Sequence, residues 1–460
     1  MSDFVLWPHQ AEGAAWAVDT LGKHGGAALW WGLRSGKTRT ALATAAEVGR
    51  STLVVSPPRD VMRVWEREAL AMRWDGEVAV LDRGSVAKRA EALRSRPSLV
   101  IVNYEAMWRE PLASALRKHG FDLVVYDEGH KLKSPSGRAS RYAGLLAQSV
   151  PHRVALSGTP LAHDAMDAWA TYRAIDRDFT ATGFPRTFTQ FRARYTRPAL
   201  RSEWRDPDVL VTTGRGQELL RWKLHNMDDL NERMYRIANR REAPPPDIEP
   251  TESTWYVDLE PEAARVYREV QRDLISQHEG DLITAANALV RDLRLAQIAG
   301  GSVKDEDGNL QRVSTAKQEA LTEYLSEVGD EPVVVFARFH SDLDTVHAAA
   351  KATGISSGEL SGRGTQLDEW KAGEFQVLAV QEQAGGVGLD MTRARLCVYL
   401  SMSYSLTDYL QSRARVLGPM QERGVDYTFI VARGTVDEAV RSALNARRSV
   451  IDAVLDQLPR

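Results

Sequence analysis

Two blocks of this chain alternate short apolar runs, rich in β-branched residues, with longer helical patterns. In the first block, strands are predicted at Gly26–Trp31, Thr52–Ser56, Ser98–Val102, Asp122–Tyr126 and His152–Leu156, with helical stretches such as Asp60–Met72 and Arg138–Gln148 between them. In the second, strands are predicted at Pro332–Phe336, Gln376–Val380, Leu396–Leu400 and Tyr427–Val431, and a helix from Val436. Short strands without a polar face, each followed by a helix, imply parallel sheets covered on both sides. The 460 residues leave room for two such lobes. The expected fold is therefore α/β, with two parallel-sheet lobes.

Between the blocks the pattern changes. Residues 176–250 show no βα alternation and are rich in arginine and aromatics; Arg186–Arg241 holds 13 basic and 7 acidic residues in a chain whose net charge is −3. The stretch ends at Pro244–Pro246. A strand-like TWYVDL and two helical patterns follow, then a polar loop at Gly300–Asn309. This organisation gives a first lobe over 1–175, a basic and mostly helical insertion over 176–250, a strand and helical connection over 251–314, a second lobe over 315–445 and a helical tail over 446–460. The near-neutral charge excludes a globally basic nucleic-acid binder and leaves open a local basic channel. One cysteine, Cys397, excludes an intramolecular disulfide framework and a Cys-rich zinc module, and reads as core. The N-terminus lacks a basic start and apolar core, and no apolar run approaches the roughly 20 residues of a membrane span. A cytoplasmic protein is expected.

The sharpest chemical signal is Gly32-Leu33-Arg34-Ser35-Gly36-Lys37-Thr38, between a strand and a helix. Backbone N–H groups at a helix N-terminus attract phosphate oxygens. Gly36 lets the backbone come close, Lys37 meets the β/γ-phosphates and the Thr38 hydroxyl meets Mg²⁺. The strict pattern GxxxxGK[ST] is not met, because Trp31 stands at its first glycine. A second signal is the apolar strand that ends in Asp127-Glu128. There Asp127 would hold Mg²⁺ and Glu128 would orient and deprotonate an attacking water. The ten histidines form no HExxH-like cluster, so no zinc site is expected. Trp30 and Trp31 read as core rather than as a base-stacking surface.

Taken together, these motifs resemble the Swi/Snf-type branch of the superfamily 2 helicases and translocases, over nearly the whole chain. Leu6-Trp7-Pro8-His9-Gln10 resembles the adenine-sensing Q motif, and Val54-Val55-Ser56-Pro57-Pro58 with Trp65 resembles motif Ia. Ile101-Val102-Asn103-Tyr104-Glu105 is similar to the next DNA-side motif, Asp127-Glu128-Gly129-His130 to motif II, and Leu156-Ser157-Gly158-Thr159-Pro160 to motif III. In the second lobe, Val333–Phe339 resembles motif IV, Gln383–Asp390 motif V and Gln411–Gln421 motif VI.

The resemblance implies two RecA-like P-loop lobes and an ATP hydrolase, using ATP and Mg²⁺, that moves along duplex or branched DNA. In that picture Gln10 recognises adenine, and Gly32, Ser35, Gly36, Lys37, Thr38, Gly388 and Asp390 contact nucleotide. Thr38 and Asp127 hold metal; His130, Ser157, Thr159 and Gln411 couple hydrolysis to DNA. DNA would meet Ser56, Pro57, Asn103, Tyr104, Arg338, Gly385 and Gly386, with Arg192, Arg194, Arg197, Arg240 and Arg241 of the insertion. The insertion's aromatics, among them Phe188, Phe191, Tyr195, Trp204 and Trp222, read as its small core.

Motif VI departs from the family pattern, which places two arginines three residues apart after the glutamine. Counting from Gln411, the first falls on Arg415 and the second on Gly418. Arg413 and Arg415 are the candidate catalytic cations. Arg34 stands where this branch often has glycine, with phosphate, a carboxylate and solvent as open partners. The motifs leave three readings: a duplex translocase that remodels DNA or bound proteins, a strand-separating or fork-reversing helicase, and a DNA-binding scaffold with a degenerate ATPase. A monomer is expected, and so small a motor suits a phage or a bacterium.

Overall fold

The computed structural model describes residues 5–57, 60–158, 161, 165–203, 209–213, 219–242, 249–276, 285–304, 310–382, 389–418 and 421–445. In chain order its strands are β1 (Gly26–Trp31), β2 (Thr52–Ser56), β3 (Val78–Val80), β4 (Leu99–Asn103), β5 (Leu123–Asp127), β6 (His152–Leu156), β7 (Thr196–Pro198), β8 (Val209–Thr213), β9 (Leu219–Leu224), β10 (Ala238–Arg241), β11 (Thr251–Val257), β12 (Ser302–Lys304), β13 (Leu310–Arg312), β14 (Val333–Ala337), β15 (Ser357–Leu360), β16 (Val377–Gln381), β17 (Leu396–Tyr399) and β18 (Asp426–Ala432).

The first lobe is a seven-stranded sheet, order β10-β1-β6-β5-β2-β4-β3, with every pairing parallel. Alternate residues serve opposite faces, as the two-residue period of a strand requires. Leu53, Val55, Val100, Val102, Val124 and Tyr126 join one apolar layer, under helices Leu112–His119, Arg138–Ser149 and Asp167–Ile175. Val54, Ile101, Leu123, Val125 and Val154 join the other, under Pro8–His24, Lys37–Val48 and Asp60–Ala71. Each such side chain, taken fully out of water, contributes about 1.5–3 kcal/mol. Because both faces are dry, side chains from loops reach solvent at the strand ends. The phosphate loop follows β1, Asp127–Glu128 close β5 and Ser157 follows β6, all at the carboxyl edge, where ligands of parallel sheets bind.

The second lobe repeats the plan with a six-stranded parallel sheet, order β11-β18-β17-β14-β16-β15. Its core stacks Tyr399 against Phe336 and Phe429, at ring separations of 5.1 and 5.0 Å. Cys397 lies buried there. Strand β11, which lies in the stretch expected to connect the lobes, is this sheet's edge.

The insertion was expected to be mostly helical. It holds helices Phe188–Tyr195 and Met227–Met234, and also an antiparallel sheet of order β7-β9-β8. Phe191 and Tyr195 are buried in the first lobe's apolar layer, beside Phe184. Trp222 lies under the Arg192 guanidinium at 5.1 Å. After the insertion, β10 returns to pair with β1, so residues 238–241 complete the first sheet. Trp204 and the tail 446–460 lie outside the described residues. Among the described residues no helix is long and apolar enough to cross a membrane.

Candidate active site

The phosphate loop is fixed at both ends. The Gly32 N–H donates to the Arg241 carbonyl of β10 at 2.7 Å, and the Ser35 hydroxyl donates back to the Gly32 carbonyl at 2.8 Å. Gly36 is left-handed, φ +79°, and caps helix Lys37–Val48. Glycine also leaves room for Gln10: a Cβ there would overlap Gln10 Nε2 and lie 3.0 Å from Gln10 Cδ. Gln10 is buried and takes the Trp7 N–H on Oε1 at 3.0 Å, while His9 Nε2 meets the Ser35 carbonyl at 2.9 Å. Helix Pro8–His24 thus presses the Q-motif residues onto the loop. Trp31 is buried and donates from Nε1 to Asn239 at 2.7 Å; Trp30 donates to the Tyr172 hydroxyl at 3.2 Å. Both serve packing.

Lys37 is buried and donates to the Trp31 and Gly32 carbonyls at 3.0 and 2.9 Å. Burial lowers its pKa, against the opposing charges of Glu128 and Asp127. These carbonyls are weak partners for an ammonium group, which phosphate oxygens would satisfy better.

Asp127 and Glu128 are both buried at the end of β5. Asp127 Oδ2 accepts from Trp65 Nε1 at 2.8 Å, and its backbone carbonyl from the Tyr104 hydroxyl at 2.7 Å. Burial, then the neighbouring Glu128 charge, push the Asp127 pKa up to about 6, against the Trp65 hydrogen bond and Lys37. Glu128 has a left-handed backbone, φ +53°. Its Oε2 lies 3.1 Å from His130 Nδ1 and 3.4 Å from the Ser157 hydroxyl, and His130 Nδ1 lies 3.1 Å from Ser157 Oγ. Burial would raise its pKa, but the His130 hydrogen bond and charge and then Lys37 outweigh it, and the net shift is downward. Glu128 is therefore ionised at neutral pH, as a proton acceptor must be. Its Oε1 is buried without a hydrogen-bond partner among the described residues, as expected of an oxygen aimed at a ligand.

The second lobe closes the site through motifs V and VI. Arg34 Nη2 donates to the Arg415 carbonyl at 2.5 Å, the Leu389 carbonyl at 3.2 Å and Asp390 Oδ1 at 3.3 Å. Asp390 is oriented by the Thr392 N–H and hydroxyl, at 3.1 and 2.9 Å. The Arg415 side chain is buried, and burial lowers its pKa to about 10 against Tyr399, Asp408 and Glu382. Glu382, at the end of β16, accepts from the Ser403 N–H at 2.9 Å and keeps a buried Oε1 without a hydrogen-bond partner among the described residues. Burial and then Asp408 raise its pKa to about 7. Gln411 sits half-buried on helix Leu406–Val416.

Several expected residues lie elsewhere. Arg413 points away from the cleft: it pairs with Glu252 of β11 at 2.5 Å and lies over Tyr427 at 4.0 Å. It is a structural cation of the second lobe, because a helix turns residues two apart to different faces. Tyr104, Ser56 and Pro57 are buried rather than presented to a ligand, while Asn103 and Arg338 are half-exposed. Asn103 Oδ1 accepts from the Ala106 N–H at 3.1 Å. In the insertion, Arg194 is bidentate on Asp229, at 2.9 Å for each bond, and Arg197 is bidentate on Glu203. Arg240 pairs with Glu242 and Arg241 with Glu12, both at 2.9 Å, beside β1 rather than on the insertion. Thr159, Gly385, Gly386 and Gly388 lie outside the described residues. Sequence reasoning missed the Trp65 bond to Asp127 and the placement of Glu382.

The donor set fits Mg²⁺ with nucleotide. Among the described residues no group of three or more His, Cys, Asp or Glu forms a cage for a metal. Mg²⁺ in nucleotide sites needs none, being held by one or two protein oxygens, waters and phosphates. Thr38 and Asp127 are the residues that would supply those oxygens here.

The chain matches the SNF2-related domain over residues 9–306 and the helicase conserved C-terminal domain over 316–417. It is 24% identical to protein p41 of Acyrthosiphon pisum secondary endosymbiont phage 1, covering 94% of this chain and 95% of that protein. It is 22% identical to the DNA repair and recombination protein RAD54-like of Gallus gallus, over 98% of this chain and 68% of that one. A solved SWI2/SNF2 ATPase core from Sulfolobus solfataricus, in complex with dsDNA, aligns with a TM-score of 0.45 at 18% identity, covering 99% and 94% of the two chains.

Proposed function

This chain belongs to the SNF2-related family of ATP-hydrolysing superfamily 2 helicases, and from that premise we propose that it is a DNA-dependent ATPase that translocates along duplex DNA. The observation that carries the reading is the buried set of Lys37, Asp127, Glu128, His130 and Ser157 at one sheet edge, faced by motif VI of the second lobe. Lys37 leaves its carbonyls to neutralise phosphate charge, and the loop N–H groups cradle the β-phosphate. Thr38 and Asp127 would hold Mg²⁺, whose chemistry there would be to supply positive charge to the phosphates. Glu128 orients water and takes its proton. Arg415 brings positive charge from the second lobe, so closure and hydrolysis become one event.

DNA sensing is proposed to run through His130. It bridges Glu128 to Ser157, so a shift of Ser157 at the end of β6 changes the base itself. Asn103 and Arg338, on the carboxyl edges of the two sheets, are the proposed DNA phosphate contacts. Gripping phosphates makes binding independent of sequence and sensitive to salt.

Steady-state ATP hydrolysis with no nucleic acid, single-stranded DNA, duplex DNA, forked DNA and RNA tests this, beside Lys37→Ala. Stimulation by duplex DNA, lost in the variant, is the expected result. Preference for forks would favour a fork-remodelling enzyme. DNA binding without hydrolysis on any ligand would leave a scaffold and refute the motor.

A further inference from the structure

Two departures from the family pattern, Arg34 in the phosphate loop and Gly418 in motif VI, meet in space. The Arg34 guanidinium leaves its own lobe and makes three contacts with the other: the Leu389 carbonyl, the Asp390 carboxylate and the Arg415 carbonyl. It lies against Gly418 so closely that a Cβ there would overlap Nη1 and sit 2.6 Å from Cζ. Any residue but glycine at 418 would force the guanidinium to move from this position. The Arg34 backbone is itself left-handed, φ +61°, a conformation costly for a residue with a Cβ and kept only where surroundings impose it. Asp390, which receives the guanidinium, is held in place by Thr392.

We propose that Arg34 and Gly418 are a matched pair. Arg34 is a positioning residue that ties the phosphate loop to motifs V and VI, and Gly418 is the space kept for it. The cation that bridges the lobes at this point comes from the first lobe instead of the second. The motif VI glycine is then no lesion, and the phosphate loop registers lobe closure directly. A guanidinium suits the task because it is weakly hydrated and stays charged in a partly buried place, where its Nη2 faces two carbonyls and a carboxylate together.

The proposal rests on the lobe interface being the ATPase site, so its test reads closure separately from turnover. Spin labels at Lys23→Cys and Glu369→Cys, both exposed and on different lobes, report the interlobe distance without nucleotide; native Cys397 is buried and does not label. DNA-stimulated turnover is measured in parallel. Arg34→Gly is expected to broaden the distance distribution and slow turnover at least tenfold, and Arg34→Lys to fall between it and the parent. Gly418→Arg alone displaces Arg34 and should do the same. The double variant R34G/G418R moves the arginine across the cleft and should regain the narrow distribution and at least a third of parental turnover. Parental closure or parental turnover in Arg34→Gly, or a double variant no better than the worse single one, would overturn the pairing. Lys37→Ala keeps the two readings apart: if it turns over like the parent the ATPase assignment fails, while the distances still judge the latch.

Discussion

Replacing Asp127 with Asn is expected to abolish turnover and yet stabilise the nucleotide-free protein. Asp127 is 4% exposed, and its folded pKa is about 6 against an ordinary 3.8. A carboxylate with a raised folded pKa binds more protons in the native state than in the unfolded chain between those values. Stability therefore rises as pH falls through 6, and the penalty is complete above it. At about 1.4 kcal/mol per pKa unit, the ionised carboxylate costs the fold roughly 3 kcal/mol at pH 7.5 and about half that at pH 5. Asn keeps an oxygen for the Trp65 indole and carries no charge. Chemical unfolding of the nucleotide-free parent and Asp127→Asn at both pH values measures the difference, in which carboxylates other than the neighbouring Glu128 cancel. The variant should be the more stable at pH 7.5, and the gap should shrink by about half at pH 5. A gap that is absent, or constant with pH, would refute the view that this acid is held ready for a cation.

Glu128→Gln should leave ATP binding within a few-fold of the parent while turnover falls about 10²–10⁴-fold, the usual worth of a positioned base; binding and single-turnover assays separate the two. Arg413→Met should destabilise the second lobe by only about 1 kcal/mol, because Glu252 is exposed and keeps Arg441 at 2.6 Å, with little change in turnover per folded molecule. Thermal melts normalised by active-site titration check this. Arg197→Ala should leave the salt dependence of DNA binding unchanged, since its guanidinium already answers Glu203; losing a true phosphate contact would lower the slope of log K against log salt by about 0.9.

The sheets were legible because fully buried strands leave no choice of residue. GAALWW at Gly26–Trp31, TLVVS at Thr52–Ser56 and HRVAL at His152–Leu156 are read to the residue, and the other strands predicted in the two blocks to within one position at each end. Strand β15, SGEL, was invisible: its Ser, Gly and Glu have neither β-propensity nor alternation, and only pairing with β16 makes it a strand. β10, ANRR, was taken for DNA-binding sequence because its arginines look free in one dimension. In three dimensions Arg240 and Arg241 answer Glu242 and Glu12. The insertion misled for the same reason, as charge counts do not reveal that Arg194 and Arg197 are already paired with Asp229 and Glu203.

Motif VI shows a different limit. Helical spacing sends Arg413 to Glu252 and leaves Arg415 near the cleft, a distinction the heptad-scale pattern RAR does not carry. The glycine at 418 looked like a loss because it was weighed against its own motif. Its partner lies 384 residues earlier, in a loop whose own arginine also looked out of place. Each departure taken singly is a defect; together they conserve one guanidinium at one point in space. A site assembled from two lobes constrains the charge at their interface, and either lobe can supply it.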